Sequence, residues 1–145
     1  MRINLKKLND RAVIPTYGSP YSAGADLYAA EEAPITLAPG ETYLFHTGIS
    51  VEIPEGYVGL VYARSGLATK RGLAPANKVG VIDADYRGEI MVSLHNHSSI
   101  PQTVDTGERI AQLVIAPFIC AEFQEVSELS DTVRGAGGFG STGEK

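Results

Sequence analysis

The sequence predicts an all-β protein, either a sandwich or a barrel of short strands. Runs rich in β-branched and aromatic residues recur along the chain, and several of them alternate apolar with polar side chains. Sixteen glycines and eight prolines lie scattered between these runs, which favours frequent turns. Helical patterns are almost absent, and only Ser65–Val79 suits a short helix or a long loop. The length of 145 residues suits a single domain.

The predicted strands follow one another with turn signals between them. Pro54–Gly56, for example, closes the third strand. Val79–Ile82 and Glu89–Leu94 flank the polar cluster Asp83–Gly88, and this pattern predicts a β-hairpin with a wide polar mouth. In chain order, the expected strands are Arg2–Leu8, Ala25–Ala29, Thr42–Ile53, Tyr57–Ala63, Val79–Ile82, Glu89–Leu94 and Arg109–Phe118.

The charge balance and the single cysteine limit the classes of partner and compartment. The formal net charge is −5, which disfavours a nucleic-acid partner because such binders usually carry a basic excess. No apolar run approaches membrane-spanning length, so we expect no membrane partner. Cys120 has no cysteine to pair with and is expected to be a buried apolar residue rather than a nucleophile. The first residues lack the apolar segment of a signal peptide, so we expect a cytoplasmic protein, or a nuclear one in a eukaryotic or viral setting.

The glycine-rich end of the chain, residues 131–145, has no apolar periodicity and cannot pack a core. Such an end is by itself most often a frayed terminus, but its backbone N–H groups could wrap a phosphate chain and its one aromatic ring could lie on a base. Gly135 and Gly140 have the spacing of a P-loop, yet Ser141 stands where the P-loop lysine belongs, so a P-loop NTPase is not expected. We expect a β-domain over residues 1–130 and a flexible arm over residues 131–145.

Four further segments carry side chains suited to nucleotide chemistry. Arg64-Ser65-Gly66 offers a planar cation, a hydroxyl donor and close backbone approach. Asp26 follows a glycine in a turn, and Gln112 is a polar residue in an apolar strand, where its side chain needs a partner. At the predicted hairpin mouth, backbone donors and acceptors could distinguish uracil from cytosine, and the ring of Tyr86 could exclude a ribose 2′-hydroxyl.

Taken together, five segments resemble the five motifs of the trimeric dUTP diphosphatases (dUTPases), in order and in approximate spacing. The resemblance covers nearly the whole chain, and the third and fifth motifs are the specific ones. The matching segments are Ala23–Leu27, Arg64–Gly66, Gly80–Gly88, Gly107–Gln112 and Arg134–Thr142.

The resemblance implies a homotrimer of jelly-roll-like β-barrels that hydrolyses dUTP to dUMP and pyrophosphate with Mg²⁺. That activity keeps uracil out of DNA and supplies dUMP for thymidylate synthesis. By resemblance, Asp83 orients and deprotonates the water that attacks the α-phosphorus. Asp26 is expected to reach the metal ion through water, and the substrate phosphates would hold the ion mainly.

The resemblance also assigns the residues that bind the substrate, with each site shared between three chains. One group of residues binds phosphates, a second reads uracil and deoxyribose while Tyr86 screens out ribose, and a third, in the arm, closes the site. The residues expected to bind phosphates are Arg64, Ser65, Gly66 and Gln112. The residues expected to read uracil and deoxyribose are Asn77, Val81, Ile82, Asp83, Tyr86 and Met91. The arm would supply Arg134 to the γ-phosphate, Phe139 to stack on uracil, and Gly140 and Ser141 to cover the phosphates.

Three alternatives stay open at this point. A dCTP deaminase-type relative would release ammonia from dCTP. A nucleotide-gated protein-binding module would bind a partner only when the nucleotide orders the arm. His-x-His on a strand places both rings on one face, so His95 and His97 could bind zinc, although a third ligand is not obvious.

Overall fold

The computed structural model describes residues 1–138, and these form twelve strands and one short helix. The all-β prediction is confirmed, and the helix begins where the sequence suggested one. The elements are β1 (Asn4–Lys7), β2 (Thr16–Tyr17), β3 (Ala25–Tyr28), β4 (Ile35–Leu37), β5 (Thr42–His46), β6 (Ile49–Glu52), β7 (Tyr57–Tyr62), α1 (Ser65–Arg71), β8 (Leu73–Pro75), β9 (Gly80–Ile82), β10 (Met91–Asn96), β11 (Gln102–Val104) and β12 (Arg109–Pro117).

The strands form antiparallel sheets around one core in a jelly-roll-like arrangement. The largest sheet has the order β2-β3-β12-β7-β9, and β12 is its centre because it pairs with both β3 and β7. A second sheet has the order β5-β10-β8, and β1 pairs with β6 and β4 with β11. Side chains from both larger sheets meet in a single buried cluster, among them Leu27, Phe45, Val61, Leu94 and Ile110.

The run Thr42–Ile53 was expected to be one strand, but the chain turns between β5 and β6. Gly48 lies in this turn with φ of +68°, a conformation that favours glycine. A Cβ added to Gly48 would lie 2.8 Å from Cβ of Ala12, so the turn packs directly against the N-terminal segment. The strand pattern of the sequence continues through the break because the residues on both sides are apolar and β-prone.

The predicted hairpin between Val79–Ile82 and Glu89–Leu94 is wrong. Strand β9 pairs with β7, whereas β10 lies between β5 and β8. Both edges of β10 therefore have other partners, and one of these, β8, was not expected from the sequence. The connection that carries Asp83 and Tyr86 consequently runs from one sheet to another.

The unpredicted strands β2, β4, β8 and β11 have two or three residues each, too few to show periodicity. Strands β4 and β11 bury Leu37 and Val104 and are joined by a 2.8 Å hydrogen bond between the hydroxyls of Thr36 and Thr103.

Cys120 is exposed, contrary to expectation. Strand β12 ends at Pro117, which has no N–H to continue the ladder, so the following residues leave the sheet. Within residues 1–138, no helix has the length and apolar character needed to cross a membrane.

Candidate functional site

One face of the large sheet brings Asp26, Gln112 and Tyr62 side by side. Asp26 on β3 is opposite Gln112 on β12, and Gln112 is opposite Tyr62 on β7. Directly opposed residues on antiparallel strands have side chains within contact distance. Residues from distant parts of the sequence therefore form one polar row across three strands.

Two arginines bind the carboxylate of Asp26. Nε of Arg64 donates to Oδ1 at 2.8 Å, and Nη1 of Arg109 donates to Oδ2 at 3.2 Å. The Asp26 side chain is 9% exposed, and those of Arg64 and Arg109 are 23% and 50% exposed. Two guanidinium groups face one carboxylate, so this corner of the protein keeps a positive excess that suits an anion.

These residues line a pocket of about 390 Å³ with Tyr62 and Gln112. Gly24 forms part of the wall, and a Cβ added to it would lie 2.7 Å from Oε1 of Gln112. A side chain at position 24 would thus displace the amide. The close approach explains why glycine precedes Asp26 by two residues, and the pocket combines guanidinium and amide donors in the way phosphate sites do.

The helix α1 positions the segment that follows Arg64. Leu67 is buried, and Gly72 ends the helix with φ of +68°. Ser65 and Gly66 form the exposed first turn, and a Cβ added to Gly66 would meet no atom of the described residues within 4 Å. Glycine at position 66 is therefore not required by packing within this chain.

The connection between β9 and β10 forms a second pocket, of about 230 Å³. Its walls include Leu44 and Glu89 together with five residues expected in the site, namely Val81, Ile82, Asp83, Tyr86 and Met91. Asn77 lines an adjoining pocket of about 110 Å³ with Gly80, Val81, Ile82 and Met91. The residues expected to bind a nucleoside thus converge.

Tyr86 is held in a bent-back position over the chain that follows it. Its hydroxyl donates to the carbonyl of Glu89 at 2.9 Å, and its N–H donates to the carbonyl of Asp83 at 3.1 Å. A Cβ added to Gly88 would lie 2.4 Å from the Tyr86 hydroxyl. Gly88 is therefore required for the ring to take this position.

The expected site residues therefore fall into separate groups in one chain. Asp26, Arg64 and Gln112 line the first pocket, and the Asp83 and Tyr86 group lines the second; within residues 1–138 the two pockets share no lining residue. Arg134 is exposed, and its Nε donates to the carbonyl of Gly137 at 2.7 Å. Phe139, Gly140 and Ser141 lie outside the described residues.

Four further residues line these pockets although no sequence pattern assigned them to the site, namely Arg109, Tyr62, Leu44 and Glu89. Arg109 stands inside the fourth motif segment, next to Ile110, and that position was the available signal. Its partner Asp26 is 83 positions away in the sequence, so local patterns do not indicate the contact.

The described part of the chain contains no group of three or more His, Cys, Asp or Glu side chains that could hold a metal ion. The rings of His95 and His97 do lie together, with centroids 4.4 Å apart. Nδ1 of His95 is 2.8 Å from the Thr42 hydroxyl. The pKa of His97, which is an exposed residue, is lowered by slight desolvation of the ring and by the neighbouring His95 and Lys78. The zinc alternative therefore still lacks a third ligand among residues 1–138.

The structure combines an all-β fold with a pocket whose guanidinium and amide donors are of the kind found in phosphate sites. Residues 10–143 match the family model described as dUTPase. The chain is 51% identical over 144 residues to the deoxyuridine 5′-triphosphate nucleotidohydrolase of Nautilia profundicola, covering 99% of this chain and 100% of the relative. The chain therefore belongs to the dUTPase family, and the resemblance stated from the motifs is confirmed.

Solved structures agree with this assignment. The chain matches the Staphylococcus bacteriophage 80alpha dUTPase with dUPNHPP at a TM-score of 0.90 and 32% identity, covering 98% of both chains. It matches a variant dUTPase from phage phi11 of S. aureus, solved to describe the coordination of a structural Mg(II) ion, at a TM-score of 0.82 and 27% identity. That match covers 90% of this chain and 100% of the other.

Proposed function

We propose that this chain hydrolyses dUTP to dUMP and pyrophosphate in a Mg²⁺-dependent reaction. The observation that carries the proposal is the pair of pockets within a dUTPase-family fold: one presents Arg64, Arg109 and Gln112 for phosphates, and the other presents Asp83 and Tyr86. The Nautilia relative is named for the same substrate.

Uracil would be recognised at the edge of the large sheet. Strand β9 is one of the two edge strands of this sheet, so one side of its backbone has no neighbouring strand among residues 1–138 and offers N–H and C=O groups. Val81 on this strand is 62% exposed, and Met91 on β10 lines the same pockets. A base that mismatched these fixed donors and acceptors would leave polar groups unpaired, which can discriminate by about 10⁴-fold.

Asp83 is the proposed catalytic residue. It is exposed in the connection after β9, where its carboxylate can accept a proton from a water aimed at the α-phosphorus. The phosphate chain would be fixed by Arg64 and Gln112, with the N–H groups and hydroxyl of the Ser65-Gly66 turn beside them. Tyr86, folded over Gly88, would occupy the space that a ribose 2′-hydroxyl needs.

The donor set fits a metal ion that is held mainly by the substrate. Both carboxylate oxygens of Asp26 are bonded to arginines, and residues 1–138 offer no cluster of three acidic, histidine or cysteine ligands. Mg²⁺ commonly keeps several waters and is bound through substrate phosphates, so Asp26 would reach it through water. The ion would withdraw charge from the phosphate that is attacked.

We further propose a homotrimer whose sites are shared between chains. In a single chain, the phosphate pocket and the Asp83 pocket have no lining residue in common among the described residues, which supports the idea that one chain completes the site of another. The arm of a third chain would add Arg134, Phe139, Gly140 and Ser141 to each site.

Pyrophosphate release with Mg²⁺ from dUTP, UTP, dCTP and dTTP tests the reaction and its selectivity together. We expect turnover of dUTP alone, reduced by about 10²-fold or more in Asp83→Asn. Asp85→Asn is the matched control, because Asp85 is an exposed aspartate of the same connection and should retain activity. Equal loss in both variants, or turnover of UTP as fast as dUTP, would contradict the assignment.

A further inference from the structure

The segment Tyr86–Ile90 is fastened to the turn between β5 and β6, which we call the β5–β6 turn (residues 46–50). The hydroxyl of Ser50 donates to the carbonyl of Gly88 at 3.0 Å, and the N–H of Ile90 donates to the carbonyl of Ile49 at 2.9 Å. The hydroxyl of Thr47 donates to the carbonyl of Ile90. The segment that carries Tyr86 is thus hydrogen-bonded to the β5–β6 turn, which belongs to none of the five motif segments.

The side chain of Glu89 makes the charged part of this attachment. Oε1 accepts from the N–H of Gly48 at 2.7 Å, and Oε2 lies 2.9 Å from Nδ1 of His46. The Glu89 side chain is 20% exposed. Hydrogen bonds to an ionised carboxylate are stronger than neutral ones, particularly where water is partly excluded.

The same residue fixes the Tyr86 ring. The Tyr86 hydroxyl donates to the backbone carbonyl of Glu89. The ring is therefore hydrogen-bonded to the same residue whose carboxylate binds the β5–β6 turn. Without the carboxylate, the backbone on either side of Glu89 is still held at Gly88 by Ser50 and at Ile90 by Ile49 and Thr47, but Glu89 itself no longer contacts the β5–β6 turn. Tyr86 can exclude an extra hydroxyl only while its ring stays in place, and displacements of about 1 Å are enough to change how a substrate is positioned.

We propose that Glu89 is a positioning residue that sets the preference for deoxyribose over ribose by holding Tyr86 through the β5–β6 turn. The inference rests on the proposed function, because it takes Tyr86 as the residue that excludes ribose. Glu89 acts through Tyr86, and its carboxylate is occupied by Gly48 and His46.

The test is the ratio of kcat/KM for dUTP to kcat/KM for UTP, measured in three variants. Glu89→Ala removes both side-chain contacts, and we expect the ratio to fall about tenfold, with UTP gaining as dUTP loses. Glu89→Gln keeps an oxygen that can accept from Gly48, so its ratio should stay within about threefold of wild type. Glu41→Ala is the matched control, because Glu41 accepts the N–H of Ala38 at 2.7 Å in a turn outside both pockets.

A folded Glu89→Ala protein with the wild-type ratio would overturn the inference, as would an equal fall in Glu41→Ala. Folding is checked by the thermal midpoint, and if Glu89→Ala does not fold, Glu89→Asp replaces it. Its shorter carboxylate keeps the charge but cannot span Gly48 and His46, so we again expect a lower ratio, and an unchanged ratio overturns the inference. Wild-type protein that already fails to prefer dUTP would instead overturn the proposed function, so it is measured first.

Discussion

Nε of Arg64 lies 2.8 Å from Oδ1 of Asp26. This ion pair joins the first two motif segments, although β12 separates β3, which carries Asp26, from β7, which precedes Arg64. Because Nε is used on Asp26, Nη1 of the same guanidinium faces another partner, the carbonyl of Arg109 at 3.5 Å. Asp26 thereby sets the direction of the Arg64 fork. A lysine at position 64 could not divide its contacts in this way.

Asp26→Asn should destabilise the protein as well as slow it. Two guanidinium groups would lose their shared carboxylate, and because Arg109 is half exposed we expect a loss of about 1–2 kcal/mol in the free energy of unfolding. Urea unfolding measures this. The control is Glu32→Gln, which breaks the exposed 3.3 Å pair with Arg11 and should cost less than about 0.5 kcal/mol. Equal losses in the two variants would contradict the prediction.

Gly24→Ala should lower kcat/KM for dUTP by displacing Gln112, since the new Cβ would lie 2.7 Å from its Oε1. We expect a loss of about tenfold, the scale of a misplaced positioning group. The informative measurement is the double-mutant cycle with Gln112→Ala. If the two residues act through this contact, adding Gly24→Ala to Gln112→Ala should cost much less than it costs alone. Additive losses would place the effect of Gly24 elsewhere.

The sequence predicted the family, the all-β class and a short helix or long loop within Ser65–Val79, because these depend on local composition and motif spacing. It failed where partner choice decides the structure. Val79–Ile82 and Glu89–Leu94 look like a hairpin in sequence, yet β5 and β8 occupy both edges of β10, and β9 pairs with β7 instead. Which strands pair depends on how distant segments compete for the same edge, and the hydrophobic periodicity of one segment does not indicate which partner it will have.

The site shows the same division. Asp83, Tyr86 and Arg64 were named from motifs, whereas Arg109 and Glu89 emerge only from contacts across 83 and 41 sequence positions. Both are charged residues in segments that also satisfy ordinary turn or strand patterns. Their partners became visible only when the register of β3 with β12 and the position of the β5–β6 turn were known.

Mixing two inactive variants tests whether sites are shared between chains. Arg64→Ala and Asp83→Asn damage different pockets, so trimers reassembled from an equimolar mixture should recover about one quarter of wild-type activity if each site takes one pocket from each of two chains. Arg64→Ala mixed with Gln112→Ala is the control, because both residues line the same pocket of one chain and no intact site can form.

Light scattering should accompany the mixing experiment. A trimer has three times the chain mass of 15.4 kDa, and activity should be lost on dilution to chain concentrations at which the trimer dissociates. A monomer that retains full activity, or a mixture that recovers nothing while the trimer forms, would contradict shared sites.

The pair of His46 and Glu89 should make stability depend on pH. The pKa of His46 is raised, mainly by its hydrogen bond to Glu89 and also by the charges of Glu89 and Glu31, against an opposing effect of burial. The folded protein therefore holds the His46 proton more tightly than the unfolded chain, whose histidine pKa is about 6.5. This stabilisation is fully present below that value and is lost as the pH rises through the raised pKa of the folded state.

The wild-type curve alone would not isolate this effect, because His97 contributes with the opposite sign. The pKa of His97 is lowered in the folded state, so the unfolded chain binds this proton more tightly and the free energy of unfolding decreases as the pH falls. The measurement is therefore the difference in unfolding free energy between wild type and Glu89→Gln from about pH 5.5 to 9. We expect wild type to gain about 0.5 kcal/mol over the variant at the acidic end, since the His46 side chain is half exposed, and the gain should shrink toward the alkaline end. A difference that stays constant across this range would show that the pair carries no proton linkage.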